Sequence, residues 1–270
     1  MRLAGAPISW GVCEVPGWGH QLPPERVLGE MRELGLTATE LGPEGFLTPA
    51  LIASYGMRAV GAFVPVVLHD PGHDPLPRIP PVEGMLVLAA ATGRDGYDER
   101  PDLDETGWAT LLANLDRIAA EHGPDVALHP HVGTMVETRD EVSRVLDGST
   151  VPLCLDTGHL LIGGTDPAEL VRRAAGRVSH VHLKDVDARL AARVSSGELT
   201  YTQAVRAGVY RPLGQGDVDI AGIVAGLDAS GYRGWYVMEQ DVVLAGPGDR
   251  PADDVRRSLA YLRSLAQRRA

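Results

Sequence analysis

The sequence predicts a (β/α)8 barrel, the TIM-barrel form of the α/β class. Three observations lead there. Eight short apolar segments alternate with longer amphipathic ones along 270 residues, which matches the strand count and length of such a barrel. Most of the eight are almost unbroken apolar runs, as strands covered on both faces read. The rival, an open doubly wound sheet, would carry a glycine-rich phosphate fingerprint after its first strand. None follows: "GPEGF" and "IGGTDP" read as glycine-containing turns.

In chain order, the expected strands are Leu3–Ile8, Thr37–Leu41, Arg58–Val66, Met85–Ala90, Asp125–His129, Val151–Asp156, Val178–Lys184 and Trp235–Glu239. The first helix is "PPERVLGEMRELG", opened by proline and closed by glycine. Leu111–His122, Arg139–Leu146, Pro167–Ala175, Ile220–Ala229 and Pro251–Ala266 repeat its apolar period. Two segments break the rhythm. "LHDPGHDPLPRIPPVEG" holds too many prolines for a helix, so the third outer helix is expected to be short or missing. After the seventh strand, "VDARLAARVSSGELTYTQAVRAGVYRPLGQGD" predicts an extra helical segment before the regular helix. No low-complexity linker divides the chain, and residues 1–270 are read as one domain.

Bulk properties narrow the function. A net charge of −11 sets aside a general nucleic-acid binder, which needs a basic surface, and disfavours an anionic membrane as partner. Cys13 and Cys154 are too few for a disulfide framework and form no Cys-x-x-Cys pattern. "MRLAGAPISWG" carries no signal-peptide core, and no stretch is apolar enough to span a bilayer, so a cytoplasmic protein is expected.

Polar residues gather where a barrel keeps its chemistry, at the C-terminal ends of its strands. The fifth strand ends in His129, followed by His131. The sixth ends in "LCLDTGH", with Asp156 and His159. The seventh ends in "HVHLKD", with His180, His182, Lys184 and Asp185, and the eighth in "YVMEQD", with Glu239 and Asp241. Four successive strands thus carry imidazole or carboxylate to one rim. That donor mixture suits a divalent ion such as Mn, Co, Mg, Fe or Zn rather than an all-oxygen calcium site. His129, Asp156, His182 and Glu239 are the expected ligands. Each residue also has a plainer reading: Asp156 as the cap of a following helix, Lys184–Asp185 as a surface ion pair.

The stretches "VHLKD", "LDTGH" and the late "GWYVMEQD" strand resemble the sugar phosphate isomerase/epimerase superfamily of xylose-isomerase-like barrels. Within it, "HPHVGT", "LDTGHLLIGGTDP" and the region from "AVRAGVYRPLGQGD" to "MEQD" are similar to the inosose dehydratases. The resemblance runs from "APISWG" to the last helix and implies a barrel with a divalent ion held at the four strand ends named above. The chain departs from it in three places: in His129, where many members carry glutamate; in its "SWGVCEVPGWG" loop; and in its shortened third helix.

Members of the superfamily act beside a carbonyl, and its epimerases use two metal-bound glutamates on opposite faces of the substrate. A histidine at position 129 spends its lone pair on the metal and cannot be a second base. One carboxylate base with a separate acid suits elimination. The expected reaction is therefore dehydration of a small polyhydroxylated ketone of the keto-cyclitol class, through an enediolate. The alternative is a ketose or keto-inositol isomerase or epimerase. A metal-dependent phosphodiester cleaver and a non-catalytic sugar binder rank below both.

Glu239 and Lys184 are the expected proton carriers, their order open, with His159 and His131 as further acid candidates. Substrate contacts are expected from His131, Glu40, Glu14 and Trp10, with Trp18 as a second aromatic wall and "PLGQGDVD" as a bordering loop. The metal's identity and any homo-oligomer stay open.

Overall fold

The parallel register closes on itself through one residue, Val60. In the computed structural model, which describes residues 1–268, β1 (Arg2–Gly5), β2 (Ala38–Thr39), β3 (Arg58–Ala59), β4 (Gly61–Val66) and β5 (Met85–Ala90) are joined in one sheet with β6 (Val126–Leu128), β7 (Leu153–Asp156), β8 (Val178–Leu183) and β11 (Trp235–Met238). The strand order is β3-β2-β1-β11-β8-β7-β6-β5-β4. β3 and β4 are a single stave interrupted at Val60. The Val60 N–H donates to Thr39 on one side, and its carbonyl accepts from Met85 on the other. Nine strands therefore make the eight staves that the sequence predicts.

Outer helices cover the cylinder: α1 (Pro24–Glu33), α2 (Pro49–Ser54), α3 (Glu105–His122), α4 (Arg139–Gly148), α5 (Thr157–Ile162), α6 (Pro167–Ala174), α9 (Ile220–Ala229) and α10 (Ala252–Gln267). Their apolar faces and the outward residues of the staves form the main core, in which Leu28, Met31, Leu111, Leu115, Ile118, Val224 and Leu262 are fully buried. Inside the cylinder small side chains are packed against a few large ones, Trp235, Phe63 and Met85. Ala4, Ala38, Val60 and Val237 form one cluster; Val87, Ala127 and Cys154 form another.

The missing third helix is borne out: only a single 3-10 turn, Leu76–Arg78, interrupts the proline-rich segment between β4 and β5. α3 covers for it. Asn114 donates to the Leu68 carbonyl at 2.9 Å, and Arg117 pairs with Asp74 at 3.0 Å. α3 also starts six residues before the predicted Leu111, because Asp104 caps Gly107 N–H. Two elements were missed. α2 is six residues between Thr48, its cap, and Gly56 at φ 72°, too short for an apolar period to show. α5 follows β7 with no loop, its cap being Asp156 itself. The end of the predicted first strand is instead a 3-10 turn, Pro7–Trp10.

The extra segment after β8 is borne out as β9 (Asp185–Val186), α7 (Ala188–Ser195), α8 (Tyr201–Arg206) and β10 (Tyr210–Arg211), with β9 and β10 antiparallel. It has its own small core of Ala191, Tyr201, Ala204, Val205, Val209 and Tyr210, packed against Trp18 and Ile162. Asp185 anchors the return to the barrel. It is no surface ion-pair partner: fully buried, it accepts from Gly214, Gly216, Val218 and Val186 N–H at 2.8–3.0 Å. Gly216 is required there, since a Cβ would lie 2.3 Å from the carboxylate.

Asp185→Ala removes the shared acceptor of four backbone N–H groups, one of them buried, and is expected to cost on the order of 2 kcal/mol in urea unfolding. It should also speed hydrogen exchange at Gly214 and Gly216; unchanged protection there would contradict the anchoring role.

Candidate active site

Side chains two residues apart on a strand share a face, so each stave sends alternate residues into the cylinder. By that alternation Cys154 and Asp156 point inward from β7, and His180 and His182 from β8. Beyond the strand ends the same parity continues through His129 and His131, Lys184, Glu239 and Asp241, and Glu40. Parallel pairing sets Asp156 directly beside His182, and Val237, two before Glu239, on the other side of His182.

Three of the expected ligands, Asp156, His182 and Glu239, stand close enough to share one ion, and His129 adjoins them through Asp156. His129 Nε2 lies 3.2 Å from Asp156 Oδ2, His182 Nδ1 lies 3.6 Å from the same oxygen, and His182 Nδ1 lies 3.1 Å from Glu239 Oε2. Donor atoms held about 2 Å from one cation stand at such separations. Despite two facing carboxylates, His182 Nδ1 has no hydrogen-bond partner among the described residues, and it is completely buried. Against the effect of burial, Cys154, Glu239 and Glu40 hold the His182 pKa well above its ordinary value, so this nitrogen pairs with Glu239 when protonated and is placed to take a cation when a metal displaces that proton. Asp156 fills both of its readings. Its Oδ1 caps α5 through Gly158 and His159 N–H, both at 2.8 Å, which leaves Oδ2 fixed toward the cluster. Burial opposes ionisation of Asp156, but Lys184 and the neighbouring imidazoles hold its pKa well below the usual range. Burial lowers the pKa of His129, leaving it a neutral donor.

Lys184 is the second centre. Its Nζ lies 2.5 Å from Asp241, 3.0 Å from Glu239 Oε2, 3.1 Å from His159 Nε2 and 3.7 Å from Asp156 Oδ2. Burial disfavours its charge, yet Asp241, Glu239 and Asp156 keep its pKa well above the ordinary value, so it is an ammonium. Burial also pushes Glu239 up, but His182 and Lys184 outweigh that and hold it ionised. His159 is neutral, its pKa driven well down by burial. It stands behind Lys184 as an acceptor. Asp241 Oδ2 takes a 2.5 Å hydrogen bond from Tyr201, whose hydroxyl lies 3.0 Å from that of Tyr210.

These groups floor a cleft at the strand ends. His131, Glu14 and Trp18 line it as expected. Glu40 reaches it, but Oε1 is occupied by His182 Nε2 at 2.9 Å and His180 Nε2 at 2.7 Å. Burial would raise the Glu40 carboxyl; the two imidazoles hold it well below the usual range. Glu14 is engaged by the Tyr97 hydroxyl at the mouth. Trp10 is elsewhere: fully buried, it donates to Glu30 at 2.8 Å and packs in the outer core. His159 is also absent from the wall, and "PLGQGDVD" rests on Asp185 and Tyr261 rather than bordering the cleft. Phe63, Tyr97 and Tyr201 complete the walls and were missed. The available signal was a tyrosine pair in the inserted "YTQAVRAGVY" and a lone one in "GRDGYDER", in a chain with only 5% aromatics.

The family described as the xylose isomerase-like TIM barrel matches residues 84–265. The chain belongs to that family. It is similar to the inosose dehydratase of Geobacillus kaustophilus (strain HTA426), 33% identical over 91% of this chain and 90% of the relative. The rhizopine catabolism protein MocC of Rhizobium meliloti is 32% identical over 89% and 82%. Among solved folds, the IOLI protein, crystallised with a binding zinc atom, superposes with a TM-score of 0.67 at 14% identity, over 99% of both chains. The xylose isomerase-like fold thus accounts for the barrel, as the sequence predicts.

The ion pair can be tested without any substrate. Lys184→Met strands Asp241 and Glu239 in a buried site and is expected to cost about 3 kcal/mol in urea unfolding. Adding Asp241→Asn should recover part of that loss. Strictly additive losses would contradict the pairing.

Proposed function

We propose that this protein is a divalent-metal-dependent lyase that removes water from a keto-cyclitol of the inosose type. The observation that carries the reading is the pairing of one carboxylate with one ammonium, Glu239 and Lys184, 3.0 Å apart beside the His129–Asp156–His182 cluster. The other acids at the site are engaged: Glu40 by two imidazoles, Asp241 by Lys184 and Tyr201, Asp156 by its helix cap and His129, and Glu14 by Tyr97. A base with an adjacent acid supports elimination, whereas epimerisation between two bases needs a second free carboxylate. The name of the relative at 33% identity, an inosose dehydratase, supports the same substrate class.

His129 Nε2, Asp156 Oδ2, His182 Nδ1 and Glu239 Oε2 are the donors that would hold the ion, a nitrogen–oxygen set suited to first-row divalent metals. When bound, the ion supplies Lewis acidity to the substrate's ketone oxygen. Ionised Glu239 accepts the α proton, and its electron pair becomes the new C=C bond. The β C–O bond breaks as the Lys184 ammonium protonates the leaving hydroxyl, which departs as water. Across the 3.0 Å gap the proton then passes from Glu239 to Lys184, and both regain their starting states. His159 and Asp241 hold the ammonium in place. Trp18, Phe63, Tyr97 and Tyr201 offer apolar walls to the C–H faces of a ring and help exclude water. No arginine lines the cleft among the described residues, which supports a substrate without phosphate.

With Mn, Co or Zn added in turn, the purified protein is expected to convert 2-keto-myo-inositol into an ultraviolet-absorbing dione. Chelation should abolish the conversion and metal should restore it. Configurational change without absorbance would favour the isomerase, and activity indifferent to metal would overturn the reading. His129→Glu supplies a second carboxylate. It is expected to bring epimerised product at the expense of dehydration, and strong epimerisation with dehydration unchanged would count against the single-base argument.

A further inference from the structure

Glu40 invites a different role from the substrate contact its position first suggests. Its backbone is fixed at the end of β2, the Glu40 N–H donating to Gly5 and the Leu41 N–H to Gly61. From there the side chain crosses the cylinder, since β2 and β8 are separated in the sheet by β1 and β11. On the far side a single oxygen, Oε1, lies 2.9 Å from His182 Nε2 and 2.7 Å from His180 Nε2. All three side chains are buried, at 1–3% exposure.

An imidazole that gives its Nε2 proton to a carboxylate offers its Nδ1 lone pair once a metal has displaced the proton from that nitrogen. In His182 that nitrogen faces Glu239 Oε2 at 3.1 Å and Asp156 Oδ2 at 3.6 Å and has no hydrogen-bond partner among the described residues. We infer that Glu40 is a positioning residue: it fixes the ring angle and tautomer of His182, so that Nδ1 is presented to the divalent ion, with His180 locking the carboxylate from the other side. The inference rests on the proposed metal dependence and adds to it a residue that never touches the metal or the reacting carbons.

Such carboxylate partners typically contribute 10- to 100-fold in metal affinity. The experiment measures Zn(II) affinity of the whole protein by competition with a chromophoric chelator, for wild type, Glu40→Gln and Glu40→Ala. Urea midpoints of the metal-free proteins and KM on the inosose are recorded alongside. Glu40→Ala is expected to bind Zn(II) about 10- to 100-fold more weakly. Glu40→Gln, which keeps shape and an acceptor oxygen, should fall between it and wild type, with its metal-free midpoint close to wild type and KM little changed at saturating metal. It keeps the test open if the alanine variant does not fold. Wild-type Zn(II) affinity in Glu40→Gln together with a raised KM would overturn the inference and return Glu40 to the substrate. If wild type itself binds no divalent ion, the proposed function fails and this inference with it, an outcome distinct from tight binding that is indifferent to residue 40.

Discussion

The two-residue period of a strand, imposed on a closed cylinder, is the constraint on which the rest depends. In an open sheet a slip of one residue moves side chains from one face to the other. Here the sheet closes at Val60, and the β7–β8 ladder, after one register shift between Leu153 and Cys154, pairs Cys154 with His180 and Asp156 with His182. Each stave must therefore deliver a fixed alternate set into a narrow interior. Low in the cylinder those residues are alanine, valine and cysteine, with Trp235, Phe63 and Met85 packed against them. Near the mouth they become histidine, lysine, aspartate and glutamate. One geometric rule thus produces both a dry packed floor and a polar top.

The polar top is dense in charge, and its members hold one another in register. Burial works against every ionised group there, and only mutual pairing keeps Lys184 an ammonium and Asp156 and Glu239 carboxylates. Several of these side chains serve two masters. Asp156 caps a helix with one oxygen and faces the imidazoles with the other. Lys184 answers to Asp241, Glu239 and His159 together. Such double use fixes positions better than any single contact, and preorganised charge of this kind is what chemistry beside a carbonyl needs.

Much of this was legible in the chain because it is local. The apolar runs gave the staves, the prolines of Pro71–Pro81 the absent helix, and the histidines and acids at run ends the members of the cluster. What stayed hidden was contact between distant segments. Trp10 and Trp18 look alike in sequence, eight residues apart. One turns outward to Glu30 and the other lies over the cleft, a choice made by the 3-10 turn that ends β1. Glu40 reads as a rim carboxylate, and nothing in "TELG" tells that two histidines some 140 residues later will claim it. Tyr201 and Tyr210 reach the site from the far end of an insertion whose fold the period predicts but whose direction it does not. The short helices α2 and α5 fell below the length at which a period is visible.

That insertion has a consequence of its own. α7 and α8 pack on a small core that also takes in Trp18, Val132 and Ile162, so the phenol that grips Asp241 is carried by the inserted segment rather than by a stave. The fold thereby divides its labour: the staves hold the reactive groups, and the inserted segment tethers the ammonium through Tyr201 and Asp241.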